Sequence, residues 1–228
     1  IFSGGEAKGN DAVAEEIAAK MVEKGYGVIT GGGPGIMEAG MSGAGREMSI
    51  GVSIRLPFET SANSIIAGDE KYVAMRYFFT RKLMLVKESQ AFICMPGGFG
   101  TLDEMFELLT LSQTGKGNPV PIVVLDLPND PFWQDLDQFV RNTLVPRKLV
   151  STQDLSLYRI CSNVEDAFAE ISNFYSTYHS MRFVGKRLIL RLNRELTDDE
   201  LKKLNLDFAD ICVNSTIEKV QISSQETS

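Results

Sequence analysis

Arg81 and Glu104 are charged residues whose neighbours indicate chemistry as well as solvation. Arg81 lies in the apolar stretch FFTRKLML, an unusual setting for an arginine that binds nothing. Glu104 follows the glycine-rich stretch PGGFG (residues 96–100, the PGGFG loop). A carboxylate near a cation can stabilise developing positive charge or face the sugar of a bound nucleotide. The plainer alternatives are a solvated arginine and a glutamate that only caps its helix. For Arg81 we favour a binding role.

The PGGFG loop is flanked by a predicted strand and a predicted helix. Residues 91–95 are apolar and uncharged, which is typical of a strand buried on both faces. Thr101 is expected to cap the helix in a capping box with Glu104. Amides of a glycine loop and a helix N-terminus bind phosphate, and a hydrogen bond to a charged group contributes about 1.5–3 kcal/mol. No Gly-Lys-Ser/Thr follows the glycines, so ATP hydrolysis is not predicted. A tight turn without a ligand is the alternative.

A second glycine-rich stretch, GGGPG (residues 31–35, the GGGPG loop), precedes another predicted helix. It resembles a dinucleotide-binding loop but lacks the G-x-G-x-x-G spacing. The next predicted strand is followed by Arg55, not by the acidic residue that would contact a ribose, so NAD binding by the usual mode is not predicted. We predict that this loop lines a mononucleotide site, with Gly32, Gly33 and Met37 among its contacts.

Strands and helices are predicted to alternate along most of the chain. The strands are predicted at 1–2, 26–30, 50–54, 91–95, 121–126 and 158–161, and the helices at 10–24, 36–47, 74–88, 101–111, 130–144 and 164–175. This order predicts an α/β fold with a Rossmann-like, doubly wound parallel sheet. Ligands of such sheets bind at the carboxyl ends of the strands, where both glycine loops are expected. Residues 55–71 form a long polar loop of the kind that is functional or mobile.

The pattern changes after residue 175, so we predict a catalytic domain at 1–175 and a small α/β extension at 176–228. The extension is predicted to contain a strand at 183–192, a helix opening at Thr197 and a strand at 209–213. Residues 221–228 form a polar tail that is predicted to be disordered. No chemistry is apparent in this segment.

Composition excludes several classes of function. The formal net charge of −7 argues against nucleic-acid binding, and no apolar run is long enough for a membrane-spanning helix. Three widely spaced cysteines, Cys94, Cys161 and Cys212, suit buried thiols in a reducing cytoplasm. His179 is the only histidine, so neither a metal site of the His/Cys type nor a histidine-dependent catalytic triad is predicted. No cofactor is expected. Because Ile1 falls inside an apolar, strand-like segment, we expect natural residues to precede it.

Three motifs together carry a family resemblance: GGGPGIME at residues 31–38, the Arg81-Lys82 pair, and PGGFGTLDE at residues 96–104. They resemble the Lonely-guy (LOG) family of cytokinin riboside 5′-monophosphate phosphoribohydrolases, many of which carry the older label "possible lysine decarboxylase". The stretches LPFE, RYFFTRKLMLV and LTLSQTGK are similar to the longer, bacterial-type members. The resemblance implies a Rossmann-like fold, a homodimer or a hexamer of dimers, and a role in cytokinin biosynthesis. It also implies hydrolysis of AMP or an N6-modified AMP to free base and ribose 5-phosphate.

The resemblance also assigns roles to individual residues. It implies that Arg81 and Glu104 are the catalytic pair. Substrate contacts are implied for the loop and for residues on either side of it: Glu59, Lys82, Gly97, Gly98, Phe99, Gly100, Thr101 and Thr110. These roles fit an oxocarbenium-like transition state, which a carboxylate stabilises while orienting water.

One departure and two competing functions remain open. Bacterial members often have F-G-S-A-R after the first strand, whereas this chain has FSGGE, which places Glu6 where an anionic substrate would approach. The first alternative function is a carrier that holds a nucleotide or a molybdenum cofactor without cleaving it, although a carrier needs neither Arg81 nor Glu104. The second is a pyridoxal-phosphate decarboxylase, for which Lys82 is the only lysine adjacent to the motif and nothing supports an imine.

Overall fold

The structure is a computed structural model that describes residues 2–3, 10–55, 62–127, 130–213 and 216–220. The chain divides into two compact units, Ile1–Tyr175 and Ser176–Ser228. In the first unit strands and helices alternate in the order β1 Phe2–Ser3, α1 Asn10–Glu23, β2 Val28–Thr30, α2 Ile36–Ala44, β3 Ser49–Ile54, β4 Tyr72–Met75, α3 Phe78–Lys87, β5 Phe92–Cys94, α4 Phe99–Gln113, β6 Ile122–Leu125, α5 Phe132–Phe139, β7 Arg159–Cys161 and α6 Val164–Thr177.

All strand pairs of this unit are parallel, in two hydrogen-bonded sheets ordered β1-β5-β6-β7 and β2-β3-β4. Cα atoms of β1 lie within 8 Å of those of β2, so the two sheets are neighbours. The winding direction reverses between β1 and β5, and the PGGFG loop follows β5 at this switch point. Ligands bind at such points in doubly wound folds. The predicted α/β, Rossmann-like fold class is confirmed.

The core forms where α1, α2 and α6 cover the sheets. Every residue of β5 and β6 is buried, as the uninterrupted apolar runs predicted. Ile17, Ile93 and Val123 belong to one buried cluster that spans helix and sheet, and burying such a side chain contributes about 1.5–3 kcal/mol. The helices α1 and α2 approach so closely that a Cβ on Gly43 would lie 2.0 Å from the backbone oxygen of Glu15.

Three predicted elements of the first unit are corrected. The helix predicted over 74–88 starts at Phe78, because Tyr72–Met75 pairs with β3 as strand β4. The helix predicted over 36–47 ends at Ala44, where Gly45 turns the chain with φ 75°. The helix predicted to run to residue 144 is α-helical through Phe139 and continues as a π-helix at Val140–Leu144.

The second unit contains a hairpin and a short helix. The single strand predicted at 183–192 is part of an antiparallel pair, β8 Tyr178–Val184 and β9 Arg187–Leu192, because Gly185 turns the chain with φ 61°. The helix predicted to open at Thr197 is α7, Asp198–Asp207, and a capping box between Thr197 and Glu200 caps it. The strand predicted at 209–213 is wrong, since Ala209–Ile211 is a 3₁₀ turn. The predicted disordered tail, 221–228, lies outside the described residues.

Two of the three cysteines are buried. Cys94 and Cys161 are buried free thiols, whereas Cys212 is partly exposed. Burial raises the pKa of Cys94 to about 12 and that of Cys161 to about 11. Within the described residues, no helix has both the length and the apolar character that crossing a membrane requires.

Candidate active site

Arg81 and Glu104 meet where α3 faces α4. The guanidinium of Arg81 donates from Nη1 to Oε1 of Glu104 at 3.0 Å and from Nε to the carbonyl oxygen of Val52 at 3.1 Å. The arginine side chain is 18% exposed and the glutamate side chain 17% exposed. A carbonyl of β3 therefore fixes the guanidinium, and the guanidinium orients the carboxylate.

The helix α4 starts earlier than predicted, and Glu104 is therefore not engaged in a capping box. The helix begins at Phe99, with Gly98 in extended backbone (φ −82°, ψ −159°) as its N-cap and no side-chain cap bond. Thr101 is therefore the third helical residue, and the capping box predicted between Thr101 and Glu104 is wrong. Because Gly98 is the N-cap in place of Thr101, the helix starts three residues earlier than predicted, and the carboxylate of Glu104 points to Arg81 instead of its own backbone.

Burial dominates the electrostatics of Glu104. Removal from water raises the pKa of the Glu104 carboxyl above its ordinary value, while Arg81 and Lys82 act in the opposite direction. A half-buried carboxyl with a raised pKa beside a cation is typical of acid–base groups in enzymes.

Lys82 occupies the neighbouring position on α3. Its Nζ lies 2.6 Å from Oδ2 of Asp103 and 3.0 Å from Oε2 of Glu107, and its side chain is 15% exposed. Burial lowers the pKa of Lys82 and the two carboxylates raise it, with the carboxylates prevailing. The lysine predicted as a substrate contact thus has two carboxylate partners on α4.

The GGGPG loop packs against the same arginine. A Cβ on Gly31 would lie 2.8 Å from Nη2 of Arg81 and 2.8 Å from Sδ of Met37. A Cβ on Gly33 would lie 2.7 Å from Cε of Met37. The predicted contact residue Met37 therefore lies against the glycines of this loop, and Gly32 is buried.

Asn63 fastens the GGGPG loop and was missed by sequence reasoning. Its backbone N–H donates to the carbonyl oxygen of Gly32 at 2.8 Å, and its Nδ2 donates to that of Gly33 at 3.0 Å. Thr30 Oγ1 accepts from the N–H of Gly32 at 3.0 Å. An asparagine in a polar loop has no distinguishing sequence pattern, so no signal was available.

The remaining predicted residues are distributed as follows. Gly97 and Gly98 connect β5 to α4, and Gly98, Phe99 and Gly100 are exposed while Thr101 is buried. Thr110 lies further along α4, is exposed, and donates from its hydroxyl to the carbonyl oxygen of Phe106 at 2.7 Å. Glu59 and Glu6 lie outside the described residues.

A cleft of about 230 Å³ lies near the amino ends of the strands, whereas the glycine loops lie at the carboxyl ends. Val28, Ile50 and Ala91 are among its lining residues, and none of the predicted site residues is. The candidate site is therefore identified by its charged groups and glycine loops, not by the size of a cavity.

The chain is similar in sequence to a family of known proteins. The family model described as "Possible lysine decarboxylase" matches residues 34–171. The chain is 32% identical over 147 residues to the cytokinin riboside 5′-monophosphate phosphoribohydrolase LOG of Oryza sativa subsp. japonica, covering 60% of this chain and 59% of that protein. It is 30% identical over 150 residues to the probable phosphoribohydrolase LOG6 of Arabidopsis thaliana, covering 62% of this chain and 73% of that protein. The match thus spans about three fifths of the length of the rice relative.

Solved structures share the fold at lower identity. The molybdenum cofactor binding protein from Rippkaea orientalis superposes with a TM-score of 0.50 at 22% identity, covering 76% of this chain and 93% of that one. The molybdenum cofactor carrier protein MCP from Chlamydomonas reinhardtii gives a TM-score of 0.50 at 19% identity over the same shares. Since the family model covers more than half of the chain, this protein belongs to the possible lysine decarboxylase family, the family of the LOG proteins.

Proposed function

We propose that this chain hydrolyses the N-glycosidic bond of a nucleoside 5′-monophosphate, releasing the free base and ribose 5-phosphate. The proposed substrate is AMP or an N6-modified AMP such as a cytokinin riboside monophosphate, as in the names of the relatives. The observation that carries the proposal is the half-buried pair of Arg81 and Glu104, joined at 3.0 Å. A protein that only binds a nucleotide needs no oriented carboxylate of this kind.

The chemistry follows from the charges of that pair. As the bond between C1′ and the base breaks, positive charge develops on the sugar, and the Glu104 carboxylate stabilises it. The same carboxylate orients the water that attacks C1′: the hydroxyl of this water bonds to C1′ as the bond to the base breaks, and the proton that the water loses is transferred to the departing base. Arg81 holds Glu104 in one orientation, so the carboxylate need not reorganise during the reaction.

The start of α4 is the proposed phosphate site. The first N–H groups of a helix have no partner within it, and the helix dipole favours an anion there. Among the described residues, no atom lies within 4 Å of a Cβ placed on Gly98 or Gly100, so these residues do not hinder an anion there. Because the N-cap provides no side-chain bond, these amides are not satisfied by a cap.

Chromatography of reactions with AMP and N6-isopentenyl-AMP tests the proposal. Free base and ribose 5-phosphate are expected from the parent chain and not from Glu104→Gln, while Glu47→Gln, an exposed carboxylate on the surface, keeps full activity. Release of no base from any monophosphate, with AMP still bound by the parent chain, would reject hydrolysis and favour the carrier function.

We also propose that the chain self-associates through the exposed face of α3. Phe78, Phe79 and Leu83 are each more than half exposed, as is the adjoining Tyr77. Contiguous exposed apolar side chains mark interaction sites. Light scattering coupled to gel filtration should give the mass of a dimer or larger assembly for the parent chain and a lower mass for Phe79→Ser; a monomeric parent chain would reject this proposal.

A further inference from the structure

Lys82, Asp103 and Glu107 form a charged cluster beside the Arg81–Glu104 pair, here called the lysine clamp. Asp103 and Glu107 lie one helical turn apart on α4 and both reach the ammonium group of Lys82, at 2.6 and 3.0 Å. The lysine is the least exposed member, at 15%, and the carboxylates are 62% and 34% exposed. The clamp therefore joins α3 to α4 immediately next to the residues proposed to act on the substrate.

The charges of the clamp do not balance. One ammonium faces two carboxylates, so a negative charge is left over where Arg81 and Glu104 neutralise each other. A phosphate approaching Lys82 would have to displace one carboxylate and overcome repulsion by the other. This arrangement disfavours Lys82 as the phosphate ligand and favours a positive charge nearby.

We propose that Lys82 is a positioning residue, which with Asp103 and Glu107 holds α3 against α4 so that Arg81 and Glu104 meet in register. Arg81 is adjacent to Lys82 on α3, and Glu104 lies between the two clamp carboxylates on α4. A displacement of one helix along the other would separate both sets of partners together. As far as activity is concerned, this inference depends on the proposed hydrolysis.

The lysine clamp also affects the electrostatic potential at the Glu104 carboxyl. Among the described residues, the groups that face this carboxyl are Arg81 and Lys82 from α3, and Asp103 and Glu107 from α4, with the thiol of Cys94 on β5. Lys82 lowers the pKa of Glu104, and the two clamp carboxylates raise it. The excess negative charge stabilises a sugar that becomes cationic in the transition state.

The test compares Lys82→Met with Lys87→Met, a matched change on α3 at a lysine that is 70% exposed. We expect Lys82→Met to lower kcat by about 10²-fold, the effect of a misplacement of about 1 Å. Its acid limb of kcat/KM should move to higher pH, because removal of a cation raises the pKa of Glu104. AMP binding, measured by calorimetry in the Glu104→Gln background, should change by less than about twofold. Loss of a hydrogen bond between Lys82 and the phosphate would weaken binding much more, because a hydrogen bond to a charged group is strong. Lys82→Arg should recover activity, and Lys87→Met should change nothing.

An unchanged kcat, or AMP binding that weakens by about tenfold or more, would overturn the proposal, the second by making Lys82 a phosphate ligand. If the chain has no hydrolase activity, the proposed function is rejected, and the lysine clamp is then tested by its contribution to thermal stability. In a double-mutant cycle of Lys82→Met and Glu107→Gln, the shifts in thermal midpoint should be strongly non-additive. Additive shifts would show that the two side chains are not coupled and would overturn the clamp.

Discussion

The two glycine loops of this protein use the same residue for opposite purposes. In the GGGPG loop the space beside each of the first three glycines is filled by protein: Arg81 and Met37 beside Gly31, Tyr72 beside Gly32, and Met37 beside Gly33. In the PGGFG loop no atom of the described residues lies within 4 Å of a Cβ placed on Gly98 or Gly100. The first loop is packed against protein atoms, whereas the second is open to the described residues at these two glycines.

The difference separates a supporting loop from a binding loop. Glycines of the GGGPG loop allow Arg81 to pass close to the backbone and reach Glu104. Gly98 and Gly100 of the PGGFG loop meet no steric requirement of the described residues, which is what a backbone that approaches a ligand would show. A glycine-rich sequence therefore does not by itself identify the ligand site, whereas the occupancy of the space around its glycines does.

The largest effect is expected for Gly32→Ala. Gly32 has φ 72°, and its Cβ would lie 2.7 Å from Cε2 of Tyr72. The left-handed backbone costs about 1–2 kcal/mol and overpacking a further 1–3 kcal/mol, so we expect the free energy of unfolding in urea to fall by about 2–5 kcal/mol. Gly68→Ala is the matched control, since Gly68 has φ 71° and nothing within 4 Å. Equal losses in the two variants would show that the packing of the GGGPG loop contributes nothing.

Arg81→Met tests the connection between the two loops. Without the guanidinium, Glu104 loses its orienting partner, and kcat/KM should fall by about 10²-fold. The pKa of Glu104, already raised by burial, should rise further because Arg81 lowers it. Since the ionised carboxylate is the active form, the acid limb of the pH–rate profile should move to higher pH. Arg76→Met, which removes an exposed guanidinium beside Tyr77, should leave the limb in place; a limb that stays in place in Arg81→Met would contradict the pairing.

Gly100→Ala should separate stability from binding. Gly100 is helical, as the second residue of α4, so alanine should stabilise the chain by about 0.5–1 kcal/mol. The added methyl group occupies open space that we assign to the ligand, so AMP binding should weaken by about tenfold, or about 1.4 kcal/mol. Thermal unfolding and calorimetry on the same preparation measure both effects. Unaltered AMP binding would mean that the space beside Gly100 is not ligand space.

The strands that sequence patterns predicted best are those buried on both faces. The apolar runs over 91–95 and 121–126 contain β5 and β6, which are buried at every position. The strand β4 was missed because it is only half-buried and because good helix formers follow it. Its pairing with β3 is a long-range contact that no local pattern reports.

The pattern T-x-x-E occurs at Thr101 and at Thr197, and it forms a capping box only at the second. The pattern alone does not reveal that Gly98 is the N-cap of α4, three residues before Thr101. The same limit applies to the site. Arg81 was predicted from its apolar neighbours, whereas the carboxylate partners of Lys82 depend on how α3 faces α4, and Asn63 on how a polar loop folds back on the GGGPG loop.

The smallest effect is expected for Thr101→Val, which removes a hydroxyl while keeping the shape of a buried side chain. Because Thr101 caps nothing, the free energy of unfolding should change by less than about 0.5 kcal/mol. Thr197→Val breaks a real capping box and should cost about 1 kcal/mol. If the Thr101 hydroxyl contacts the substrate, as the family resemblance implies, AMP binding should weaken about fivefold in Thr101→Val, which corresponds to one hydrogen bond of about 1 kcal/mol. Equal losses in the free energy of unfolding for Thr101→Val and Thr197→Val would show that Thr101 does cap α4. If Thr101→Val binds AMP as tightly as the parent chain, the PGGFG loop contributes to AMP binding only through its backbone amides.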